Sequence, residues 1–80
     1  MNATTINECR ALAHQSYKDT DRIWGLCMYM DLLEGASNDC SRRLYAVTVA
    51  ELLDKYMGHR LYSTPEFQRL RQEIKSTYNY

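Results

Sequence analysis

Proline occurs once in the 80 residues and glycine three times, so few positions force a helix to stop. There is no internal repeat, no low-complexity tract and no Pro/Gly/Ser-rich linker, which leaves no seam between two domains. No apolar run approaches the roughly 20 residues that span a bilayer; the longest, Ile23 to Met30, is far shorter. Ten basic residues against ten acidic ones leave no net charge. That balance excludes the basic excess of a general nucleic-acid binder and the acidic excess of a DNA mimic. No glycine-rich loop is present to cradle a phosphate, and no carboxylate pair is spaced beyond what charged helices show by chance.

Cysteine is sparse and odd in number: Cys9, Cys27 and Cys40. No two are spaced as in a zinc knuckle, and His59 stands apart from them. Cys9 and His14 are five residues apart, whereas helical metal ligands sit three or four apart so that both point the same way. The expectation is free thiols in a reducing compartment, with no metal and no cofactor. Met1-Asn2-Ala3-Thr4-Thr5 has no basic stretch followed by an apolar one, so a soluble, cytoplasmic protein without membrane attachment is expected.

What is present is helical periodicity. Thr5 and Glu8 have the spacing of a capping box, and Ile6, Cys9, Leu12, Ala13 and Tyr17 follow on one face. The same phase continues through Ile23, Trp24, Cys27 and Met30, interrupted only by Lys18-Asp19-Thr20-Asp21. This predicts one long helix over 5–34, with Gly35 as a left-handed stop; a break at Asp19 or Thr20 is the alternative. Asn38 or Asp39 caps the next helix, whose apolar face is read as Leu44, Val49, Leu52, Leu53, Tyr56 and Met57, closed by Gly58. The β-branched run Val47-Thr48-Val49, with Thr48 and Glu51 as a second capping box, suggests a bend and restart there. Thr64-Pro65-Glu66 places a capping hydroxyl, a proline at the first helical position and a carboxylate at the positive end of the last helix. Phe67, Leu70, Ile74 and Tyr78 carry its apolar stripe. The fold class is all-α: a small antiparallel helical hairpin with a third packed helix, three to four helices in one domain over 1–80.

Charge is unevenly placed. Residues 1–41 hold Arg10, Lys18 and Arg22 against six acids, and residues 42–80 hold seven bases against Glu51, Asp54, Glu66 and Glu73. Two such halves can attract each other, or they are ordinary solvated faces. A nucleic-acid-binding regulator is the alternative function. Residues 48–75 read as helix, turn, helix, with Lys55, Arg60, Arg69, Arg71 and Lys75 as its cations, and Glu66, Gln68, Arg69 and Gln72 facing outward to read bases. The Gly58-to-Thr64 connection is longer than the 3–4-residue turn of that motif, and Glu66 and Glu73 would stand near phosphate.

The main signal lies between Ile23 and Leu33. Wound as a helix, Ile23, Cys27 and Met30 point one way, and Met28 and Leu32 nearly the opposite way. A helix apolar around most of its circumference suits a large interior, not a small bundle in which two neighbours cover about half of it. Trp24, Met28, Tyr29 and Leu32 are therefore the candidate partner-binding residues, unless a kink or the C-terminal tail covers them. Burying each such side chain is worth roughly 1.5–3 kcal/mol, and the seven tyrosines add residues of a type enriched at interfaces. The leading expectation is a non-enzymatic protein that binds another protein through this face, or a second copy of itself, and acts by occlusion. Its size and lack of motifs give the expectation of an accessory regulator or inhibitor, such as those of bacteriophages and other mobile elements.

Overall fold

Among residues 2–17, 24–55 and 63–79, which a computed structural model describes, the helical periodicity becomes four helices and no strands. They are α1 (Ala3–Tyr17), α2 (Trp24–Gly35), α3 (Asp39–Lys55) and α4 (Pro65–Tyr78). The fold is all-α. Each helix packs on the next and α4 closes on α1, while the diagonal pairs make no close backbone approach among the described residues. Neighbours run antiparallel. The Asn2 backbone N–H donates to Glu73 on the far helix, and Arg69 faces Glu8 one turn and a half further on. Asp54 meets Arg71 on the α3–α4 seam, while Val47 lies beside Tyr78. The result is an up-down-up-down four-helix bundle.

The single helix expected over 5–34 is two helices. Arg10 Nε lies 2.6 Å from Asp31 Oδ1, whereas twenty-one residues of continuous helix would separate them by about 30 Å. The polar patch at 18–21, with Ile23, lies outside the described residues. Cap chemistry also differs. Asn2, not Thr5, opens α1: its Oδ1 accepts the Thr4 N–H at 2.8 Å and its carbonyl accepts Ile6 N–H at 3.1 Å. Thr5 is buried instead, and no buried side-chain polar atom among the described residues lacks a hydrogen-bond partner. Asn38 caps α3 as expected, accepting Ser41 N–H at 2.8 Å.

Thr48 starts no new helix. Its hydroxyl donates to the Leu44 carbonyl at 2.8 Å, so the backbone ladder runs through the β-branched run unbroken. α2 ends at Gly35 without a left-handed residue there; Ala36 N–H bonds back to the Leu33 carbonyl at 3.3 Å. The opening of α4 has Pro65 at its first position as expected, but Thr64 contributes its carbonyl to Gln68 N–H and no side-chain cap. Its far end closes on Asn79, at φ 52°, whose N–H returns to the Lys75 carbonyl. Tyr56, Met57 and Gly58 lie outside the described residues.

The core divides by size. α2 and α4, on one diagonal, supply Leu26, Met30, Leu33, Phe67, Leu70 and Ile74. α1 and α3, on the other, supply mostly small groups, among them Cys9, Ala13, Ala46 and Ala50. Large side chains from one diagonal fill the room left by small ones from the other, which is how layers interdigitate at native density. This rotates α3 away from the expected face. Ala46, Val49, Ala50 and Leu53 point inward, and Leu44, assigned to the core by its hydrophobicity, is 62% exposed.

Burial also sets thiol chemistry. The Cys9 thiol is pushed up to about 12, first by burial and then by the negative charges of Glu66, Glu8 and Glu73. Burial, with the charge of Asp31, raises Cys27 as well. Cys40 is exposed and all three are free. A disulfide reagent at mildly alkaline pH should therefore consume one thiol per chain rapidly in the native protein and all three after denaturation. Fast native reaction of a second thiol would contradict this packing.

Candidate partner-binding site

α2 contacts α1 on one flank and α3 on the other, and these neighbours bury Leu26, Cys27, Met30 and Leu33. A helix advances 100° per residue, so positions four apart form a ridge nearly opposite that buried strip. The ridge is Trp24, Met28 and Leu32. Trp24 is 54% exposed and Leu32 39%, while Met28 is half-buried. Tyr29 stands apart from the ridge, on the α3 side, with its ring centroid 6.1 Å from that of Tyr45 and the planes tilted by 52°. Its body packs against the core, leaving one edge of the pair at the surface. Three of the four expected residues thus share one ridge, and the fourth lies on its α3 shoulder.

A shallow groove runs on either side. On the α1 side it measures about 260 Å³ and is walled by His14, Trp24, Cys27, Met28 and Asp31. On the α3 side it measures about 250 Å³ and is bordered by Leu32, Gly35, Ser41 and Tyr45. Sequence reasoning missed the α3 contribution. Tyr45 and Leu52 are half-buried on the side of α3 that faces α2, whereas exposed Leu44 borders Tyr78 and Asn79 toward α4. The signal was there in the alanines: Ala46 and Ala50 carry the inward period, which turns Leu44 outward.

Among the described residues, the α1 rim carries charges beside the ridge. Asp31 accepts from Arg10 Nε at 2.6 Å and lies 2.8 and 3.0 Å from His14 Nε2 through its two oxygens. Partial burial works to raise its pKa, but the hydrogen bonds from His14 and Arg10 and their charges outweigh it and hold the carboxyl below its usual value of 3.8. The same carboxylate raises the Arg10 guanidinium.

A carboxyl depressed in the folded state stabilises above its ordinary pKa and loses that contribution as pH falls through the lowered value. These side chains are 41–49% exposed, so solvent screening holds the effect to about 0.5–1 kcal/mol. An Asp31→Asn variant should melt a few degrees below wild type at neutral pH, and the two curves should converge near pH 2. A gap that persists in acid would mean the carboxylate is not what clamps α1 to α2.

Cys27, His14 and Asp31 share one groove, the residue types of a nucleophile, a base and an orienting acid. Their arrangement does not activate the thiol. Burial and the adjacent carboxylate push Cys27 upward, and the imidazole Nε2 is directed at Asp31. Among the described residues no group of three His, Cys, Asp or Glu side chains could hold a metal ion, and no helix is long and apolar enough to cross a membrane.

The basic residues of the alternative reading are dispersed. Arg69 lies on the α1 flank of α4, with its guanidinium 3.9 Å from Glu8. Arg71 lies on the α3 flank, donating from Nε to Asp54 at 2.8 Å. Lys75 is half-buried, Lys55 is exposed at the end of α3, and Arg60 lies outside the described residues. α3 and α4 lie side by side and antiparallel, not crossed as in a DNA-reading helix-turn-helix. Comparison with family models, with curated protein sequences and with solved structures finds no match, so the functional reading rests on this geometry.

Proposed function

We propose that the chain is a non-enzymatic binding protein that lays the outward ridge of α2 on another protein and modulates it by occlusion. The observation that carries this reading is the ridge itself. Trp24, Met28 and Leu32 stand on one helix face, and Trp24 and Leu32 are, with Leu44, the exposed large apolar side chains among the described residues. Among the described residues, the acid bordering the ridge, Asp31, is ion-paired with Arg10 and hydrogen-bonded to His14, so an apolar partner surface does not meet it as an unpaired ion. A tryptophan beside a shallow groove is the kind of anchor on which binding energy concentrates. Size and build suit an inhibitor or accessory regulator of the sort carried by bacteriophages and mobile elements.

The test is a comparison of three proteins as bait in host lysate, with captured partners then purified and titrated directly. Wild type and a control altered on the opposite corner, Arg69→Ala/Gln72→Ala, should bind the purified partner equally. The Trp24→Ala/Met28→Ala/Leu32→Ala variant should lose it. Equal binding by all three removes this face as the docking site.

A further inference from the structure

We draw no further inference here: the strongest candidate, the surface groove between α3 and α4 where the exposed Cys40 thiol stands beside Arg43, Leu44, Val47 and Tyr78, rests on a lone cysteine and an unpartnered apolar patch, and nothing in the structure shows what would occupy it.

Discussion

Leucine introduced at Ala46 or Ala50 should lower the melting temperature by roughly 5–20 °C, while Leu44→Ala should leave it nearly unchanged. Ala46 and Ala50 have no exposed surface and face the large side chains of α2 and α4. Three extra heavy atoms at either position force off-rotamer packing or helix displacement, costing about 1–3 kcal/mol. In a domain this small, each kcal/mol moves the midpoint by about 4–8 °C. Leu44 is 62% exposed on an unbroken helix, so truncation loses little burial and gains helix propensity, a net change within about 0.5 kcal/mol. Thermal denaturation followed by circular dichroism decides the matter. A Leu44→Ala protein less stable than Ala46→Leu would mean that α3 presents its other face to the core.

That prediction runs against hydrophobicity, and the reason explains what the sequence makes legible. The start and inward face of α4 could be read, though not the absence of a Thr64 side-chain cap, because proline fixes its start and Phe67, Leu70 and Ile74 repeat at helical spacing with nothing competing. The inward strip of α2, including Met30 and Leu33, was equally readable. α3 was not, because its inward period is written in alanines, and a reading that ranks side chains by apolar size passes over Ala46 and Ala50 in favour of Leu44 and Leu52. The break between α1 and α2 was hidden for a different reason. The apolar phase happens to continue across residues 18–23, so periodicity alone cannot distinguish one long helix from two that fold back. Only a long-range contact does, and Arg10 with Asp31 supplies it. The four site residues followed from counting neighbours: any α2 in a small bundle leaves half its circumference uncovered, whichever helices flank it.

The uneven charge of the two halves has a modest structural outcome. Glu8 and Arg69 face each other across the α1–α4 seam at 3.9 Å, both largely exposed, a contact worth at most a few tenths of a kcal/mol. The closer pairs, Arg10 with Asp31 and Arg71 with Asp54, join residues from the same half of the chain. Charge therefore pins helix seams locally, and with Arg69 and Arg71 drawn to opposite flanks of α4 the cations do not gather into one stripe. The α2 corner is left as the surface whose chemistry stands out.

Truncating Trp24, Met28 and Leu32 together to alanine should weaken binding to a purified partner by about 3–5 kcal/mol, a loss of a hundredfold to several thousandfold. Trp24 is 54% exposed, and half of a tryptophan's surface, about 100 Å², is worth about 2.5 kcal/mol at 25 cal/mol per Å². Leu32, 39% exposed, and half-buried Met28 add about 1 kcal/mol each by the same measure. The same truncations also cost folding a comparable amount, because the bundle buries nearly half of Trp24 and more than half of Leu32, so binding is measured at a temperature where the variant is fully folded. Isothermal titration gives the affinity and thermal denaturation the stability. Wild-type Trp24 emission should shift to the blue on docking, since the single indole moves from water into the interface. A triple variant that binds within threefold of wild type would place the contact elsewhere. One whose lost binding is fully accounted for by its smaller folded fraction would make the ridge a structural element of the bundle itself.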